Sequence, residues 1–224
     1  MITGETRLVG LIGNPVAGSL SPRMQNAAFA VRGLDWAYVP LQVEPDELED
    51  ALRGLAAFGF AGANVTTPYK LDVARLVGAD DPSVNTLVVR EGRLHASSTD
   101  AAVLNGTSFE RPVVLGDGGA AAAFTVALAG ARQFSRSGDW PPDVSEADLV
   151  VNATSERNEA LVELAPGQTL VDLPYPETAT ARVAQGAVIS GLEVLVAQGA
   201  ASFELWTGLR APVEVMRRAL GLAA

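Results

Sequence analysis

The stretch LVGLIGNPVAGSLSPRMQNAAFAVRGLDWAYVPLQV, residues 8–43, decides the fold. It opens on an apolar run, LVGLIG (8–13), and closes on another, WAYVPLQV (36–43), each of strand length. Between them, SLSPRMQNAAFAVRG carries helix signals in order. Ser21 is expected as the N-cap, Pro22 at the first helical position and Gly33 as the stop. The pattern then repeats: EPDELEDALRGLAAFG (44–59) reads as a helix with acids in its first turn and Gly59 at its end, followed by the strand FAGANV (60–65). VNTLVV (84–89) is a fourth strand candidate. Strands alternating with helices of this length predict an α/β fold with a mainly parallel sheet.

Near residue 105 the character of the chain changes. RPVVLGDGGAAAAFTVALAGA (111–131) reads as a strand, a glycine turn and an apolar helix, and DLVVNATS (148–155), TLVDLPY (169–175) and AVISG (187–191) supply three more strands. The tail, GLEVLVAQGAASFELWTG and PVEVMRRAL, reads as two helices, the first apolar enough to pack back onto the opening domain. The expected organisation is a first domain of residues 1–104 completed by 192–224, and a second of 105–191.

Composition narrows the chemistry. With 48% hydrophobic residues, 224 residues can bury a substantial core. The chain has no cysteine, which excludes disulfides and thiolate chemistry, and a single histidine, His95, which excludes a multi-histidine metal centre. His95 itself is expected in a hairpin rather than in catalysis. A net charge of −10 argues against nucleic acid or anionic membrane as partner, because both need a basic face. With no signal peptide and no apolar run of about 20 residues, a soluble, cytoplasmic protein is expected.

Fifteen of the sixteen basic residues are arginine; the lone lysine is Lys70, in NVTTPYK (64–70). Burial or a neighbouring cation can bring a lysine pKa near neutrality, whereas arginine stays protonated, so position 70 is a candidate for proton exchange. Asn64-Val65-Thr66 ends a buried strand, which sends these polar side chains to the carboxyl edge of a parallel sheet, where α/β proteins hold ligands.

NVTTPYK resembles the NVTxPxK signature of the shikimate dehydrogenase family. GNPVAGSLSP near the start, VNTL (84–87), STD (98–100), GDGGAAAA (116–123), NATS (152–155) and GLEVLVAQGAASFELWTG (191–208) resemble further family segments in the same order. The resemblance implies a two-domain enzyme that reversibly reduces 3-dehydroshikimate to shikimate with NADPH, in aromatic amino acid and chorismate biosynthesis, acting as monomer or homodimer. It implies that Lys70 and Asp100 are the catalytic pair: Lys70 hands a proton to the carbonyl oxygen while Asp100 holds the ammonium and a substrate hydroxyl. It further implies that Ser19 and Ser21 bind the substrate carboxylate and that Asn64, Thr66 and Asn85 contact ring hydroxyls. Gln198 would close the pocket and Tyr175 would lie near the carboxylate. For the cofactor it implies a turn of Gly116, Gly118, Gly119 and Ala120, an NADP 2′-phosphate reader in Arg136, and contacts at Asn152 and Thr154.

Two features depart from that pattern. Asp117 stands where the family usually has alanine, and a carboxylate about 4 Å from a phosphate costs on the order of 1 kcal/mol in water and about 4 kcal/mol at a protein-surface dielectric. Between Arg136 and Asp148 there is too little chain for the usual crossover helix and further strand, so a shortened Rossmann-like domain is expected. These departures leave open a shikimate-binding protein that has lost effective hydride transfer, and the site residues do not separate shikimate from quinate or an aminated relative.

Overall fold

The computed structural model describes residues 2–223 and divides into two compact units. One comprises the chain up to Thr99 together with the residues from Val196 onward; the other is Asp100–Leu195. The division falls at Asp100 rather than near 105 because Leu104, with Ala101 and Val103, already packs into the core of the second unit.

In the first unit, β1 (Arg7–Gly13), β2 (Trp36–Gln42), β3 (Gly62–Val65), β4 (Thr86–Arg90) and β5 (Arg93–Ser97) form one sheet in the order β2-β1-β3-β4-β5. Helices α1 (Ser21–Val31) and α2 (Leu48–Ala57) carry the parallel crossovers, and each gives way to a glycine at positive φ, Gly33 and Gly59. The sheet is mixed: β3 pairs antiparallel with β4, and β4 with β5, so the parallel arrangement holds only for its first three strands. The cause is local. After β3 the chain forms α3 (Lys70–Val77), which Gly78 ends in the left-handed conformation, and the Val84 N–H then donates to the Lys70 carbonyl at 3.1 Å. The chain therefore re-enters the sheet at the edge it has just left, and β4 can only run back against β3. His95 lies in β5 opposite Val88, as a hairpin residue.

The tail completes this unit. Helix α6 (Gly191–Thr207) contributes its residues from Val196, and α7 (Val213–Ala219) packs on α1. Phe203 is fully buried and stacks on Phe29 at 5.5 Å, while the Trp206 indole N–H donates to the Leu87 carbonyl at 2.9 Å. Gly62 makes that approach possible, since a Cβ there would lie 2.1 Å from the Leu87 oxygen and 2.6 Å from the indole nitrogen.

The second unit has a fully parallel sheet, ordered β10-β9-β8-β6-β7: β6 (Pro112–Leu115), β7 (Arg132–Phe134), β8 (Leu149–Asn152), β9 (Thr169–Asp172) and β10 (Ala187–Ser190). β7, only three residues long, is a strand that apolar patterning missed, because two of its residues, Arg132 and Gln133, are exposed; β5, with Arg93 and His95 exposed, was missed in the same way. One face of the sheet packs Val114, Val151 and Val171 against α4 (Gly119–Ala127), chiefly through Phe124 and Ala121. The opposite face, with Val113, Leu115, Val150 and Leu170, has no crossover helix between β7 and β8 or between β8 and β9. Val144, Ala147, Val162 and Leu164, from irregular segments, cover it together with Ala181 of the short helix α5 (Ala179–Val183). Irregular backbone over a core must still satisfy its polar groups. Buried Gln168 does this, donating to the Val144 and Ala147 carbonyls at 2.7 Å each and accepting from the Ala165 N–H at 2.7 Å. The shortened Rossmann-like unit thus loses helices and keeps its parallel sheet.

Candidate active site

The topology of the first unit collects its polar residues at one edge. β1 and β3 are parallel and end there, and β4 begins where β5 ends, with Thr86 opposite Ser97. Ser19, Ser21, Asn64, Thr66, Lys70, Asn85 and Thr99 all belong to segments that leave or enter the sheet at this edge. The Asn14 N–H donates to the Thr67 carbonyl at 3.1 Å, and the Thr66 N–H to the Ile12 carbonyl at 2.8 Å, joining the loops after β1 and β3.

Asn85 is the centre of this array and is 2% exposed. Its Oδ1 accepts from the Thr99 N–H at 2.8 Å, and its Nδ2 donates to Thr99 Oγ1 at 3.0 Å and to Gln198 Oε1 at 3.2 Å. One asparagine therefore ties the start of β4, the residue before Asp100 and helix α6. Ser202, one turn after Gln198, presents its hydroxyl 2.8 Å from Thr86 Oγ1 and donates to the Gln198 carbonyl at 2.9 Å. Gln25, one turn after Ser21 on α1, donates to the Gly199 carbonyl at 2.8 Å and so holds the same helix. Tyr38, Thr86, Thr99, Ser202 and Gln25 were not singled out from the sequence. The adjacency of Thr86 to Asn85 and of Thr99 to Asp100, and the i, i+4 spacing of Gln198 and Ser202, were the available signals.

The sequence-predicted residues differ in how far the protein itself engages them. Asn64 is buried, and its amide is taken up internally. It accepts from the Tyr38 hydroxyl at 2.9 Å and donates toward the Asn85 carbonyl at 2.9 Å, Ser202 Oγ at 3.0 Å and Thr86 Oγ1 at 3.1 Å. Burial pushes the Tyr38 hydroxyl far above its ordinary pKa, opposed only by the Ser21 hydroxyl beside it, so it stays a proton donor. Ser21 is not the N-cap expected for it. It is the first residue of α1, Leu20 occupies the cap position without a side-chain bond, and Ser19 Oγ instead accepts the Ser21 N–H at 3.2 Å. Thr66 and Lys70 are half-buried, with Lys70 as the first residue of α3.

In the second unit, Asp100 is 6% exposed and opens a short 3-10 helix, Asp100–Leu104, while Tyr175 is half-buried in the turn after β9. The glycine turn follows β6 as expected. Gly116 has φ +117, and a Cβ there would lie 3.0 Å from the Ala153 oxygen; beside Gly118 there is open space. No side chain caps α4, so the first-turn N–H groups of Gly119 and Ala120 have no side-chain acceptor. This is the setting a dinucleotide phosphate needs. Asp117 is exposed, and Ser137 Oγ donates to its carboxylate at 2.5 Å, which ties the turn to the loop carrying Arg136. Asn152 is fully buried: it donates to Asp172 at 2.8 Å and accepts the Thr154 hydroxyl at 2.8 Å, so these two side chains shape the loop rather than point into space.

The side chains and folds define a two-unit α/β protein, with a polar, lysine-bearing sheet edge in one unit and a glycine-turn dinucleotide fold in the other. Residues 11–87 match the shikimate dehydrogenase substrate binding domain, and residues 191–220 the shikimate 5'-dehydrogenase C-terminal domain. The NADP(+) shikimate dehydrogenase of Moorella thermoacetica is 38% identical over 98% of this chain and 94% of its own. A shikimate dehydrogenase crystallised with NADP+ superposes with a TM-score of 0.86 at 30% identity, covering 98% of this chain and 96% of its own. That of Thermus thermophilus, in complex with NADP(H) and shikimate, gives 0.82 at 28% identity, over 95% and 98%. The chain belongs to the shikimate dehydrogenase family. The Moorella alignment runs to 277 positions against a chain of 224 residues, so more than fifty positions face a gap here.

Proposed function

We infer that this protein is an NADP-dependent shikimate dehydrogenase, an oxidoreductase that interconverts 3-dehydroshikimate and shikimate. Kinship over nearly the whole length of an NADP(+) shikimate dehydrogenase carries the reading. The clustering of Asn85, Thr99 and Gln198 beside the Lys70–Val84 backbone link supports it.

We assign proton transfer to Lys70, whose ammonium would protonate the carbonyl oxygen during reduction and take the proton back during oxidation. Asp100 has the carboxylate role carried over from the family. Ser19 and Ser21, at the start of α1, would hold the substrate carboxylate, aided by the N-terminal end of that helix. Asn85 and Thr66 would address ring hydroxyls, Gln198 would close the pocket, and Tyr175 would lie near the carboxylate. Asn64, whose amide also serves Tyr38, Asn85, Thr86 and Ser202, would contact a ring hydroxyl as well. Bound NADPH supplies the hydride. Gly116, Gly118, Gly119 and Ala120 would let its pyrophosphate approach the start of α4, and Arg136 would pair with the 2′-phosphate. Asn152 and Thr154 would act by holding the loop above Gly116.

Among the described residues no helix is long and apolar enough to cross a membrane. We place the enzyme in the cytoplasm, as monomer or homodimer. The deciding experiment is a steady-state assay of NADP+ reduction with shikimate, run beside calorimetric titrations of shikimate and of NADP+. Turnover with both ligands binding is expected; shikimate binding without turnover would overturn the enzyme reading in favour of a binding protein.

A further inference from the structure

Arg136 is not simply an exposed cation awaiting an anion. Its guanidinium lies 3.7 Å from Glu159 and 4.0 Å from Glu156, and 5.7 Å from the centre of the Trp140 ring. The two carboxylates are unlike each other. Glu156 is fixed: one of its oxygens accepts the N–H groups of Arg157, Asn158 and Glu159 at 2.9, 2.8 and 3.2 Å, leaving the other to face Arg136. These backbone bonds hold its carboxyl below the usual range, so it is charged wherever the enzyme works. Glu159 sits on the surface, its side chain 76% exposed, and can swing away. The loop that bears both is itself anchored, through Thr154 to Asn152 and through the Ala179 N–H to the Arg157 carbonyl at 2.8 Å. The Ser137–Asp117 bond holds the Arg136 loop from the other side.

We propose that Glu156 and Glu159 are specificity-determining residues: an internal counter-ligand for Arg136 that competes with the 2′-phosphate and narrows the preference for NADP+ over NAD+. The proposal rests on the reading of Arg136 as the 2′-phosphate partner. A dianionic 2′-phosphate makes shorter, charge-assisted bonds to a guanidinium than carboxylates at 3.7–4.0 Å. It would displace Glu159 and sit beside Glu156, which stays. A ligand with a 2′-hydroxyl pays neither cost, so the carboxylates act on one cofactor and not on the other.

The test measures dissociation constants of 2′,5′-ADP and 5′-AMP, and of NADP+ and NAD+, by calorimetry on the full chain, wild type against Glu159→Gln, Glu156→Gln and the double variant. Glutamine keeps an oxygen for the backbone N–H groups of residues 157–159, so the loop is retained. Exposed ion pairs of this kind predict a roughly two- to five-fold tightening of the 2′-phosphorylated ligands per substitution, more for the pair and less at high salt, with 5′-AMP and NAD+ unchanged. Arg136→Met is the control. If it abolishes the NADP+ preference while the glutamine variants change nothing, the carboxylate proposal fails and Arg136 keeps its role. If it leaves the preference intact, the Arg136 assignment fails and the proposal with it.

Discussion

The two units hold their candidate functional residues in opposite ways. In the first, Asn85 joins residues from β4, the end of β5 and α6, segments separated by up to 113 positions, through buried hydrogen bonds. In the second, Arg136, Asp117, Glu156 and Glu159 lie on loops and are tied by contacts at or near the surface. A buried network fixes its members against one another, because each unpaired group would cost about 1–3 kcal/mol; an exposed ion pair is worth at most about 1 kcal/mol and yields to a ligand. In that unit one face of the sheet is covered mainly by irregular segments. The sheet stays fully parallel without a crossover helix between β7 and β8 or between β8 and β9, and Gln168 pairs the Val144 and Ala147 carbonyls of the irregular cover.

Substitutions should expose this contrast. Lys70→Arg retains the charge and removes the exchangeable proton, so kcat is expected to fall about a hundred- to ten-thousand-fold with the KM for shikimate within a few-fold. Near-wild-type turnover would refute the role of Lys70. Gly62→Ala drives a methyl group into the Leu87 carbonyl and the Trp206 indole, and should cost about 1–3 kcal/mol of unfolding free energy in urea. An unaltered midpoint would mean that α6 is held less tightly than its contacts indicate. Thr99→Val strips hydrogen-bond partners from Asn85 and the Gln198 carbonyl. The expected result is a loss of about 1–2 kcal/mol, seen as up to a thirty-fold rise in the KM for shikimate with NADP+ affinity unchanged. The smallest effect is expected at Asp117. Its carboxylate is engaged by Ser137, so Asp117→Ala should leave NADP+ affinity within about two-fold; marked tightening would show that the carboxylate faces the phosphates after all.

Much of this was legible in advance because it depends on local pattern. Apolar runs and glycine stops marked most strands and helices, though not β5, β7, α3 or α5, and the fully buried β6 and β8 read as continuous apolar stretches. β7 was not legible, since edge residues such as Arg132 carry no apolar signal. The direction of β4 was hidden as well, because it follows from one hydrogen bond between Val84 and Lys70. Of the candidate site residues, the family resemblance supplied Lys70, Asn85 and Gln198, but the four internal partners of Asn64 were not legible, and Ser21, expected as the N-cap, is instead the first residue of α1.

Sequence by itself determined the α/β class, the family, the lone lysine and the shortened nucleotide fold, since periodicity, spacing and length are properties of the chain read in order. Tertiary structure alone decided which polar side chains meet one another within the protein. It also showed that Arg136, proposed here to meet the 2′-phosphate, already faces two carboxylates. Hydrogen bonds and ion pairs between residues far apart in sequence exist only once the chain has folded, and no local pattern encodes their distances.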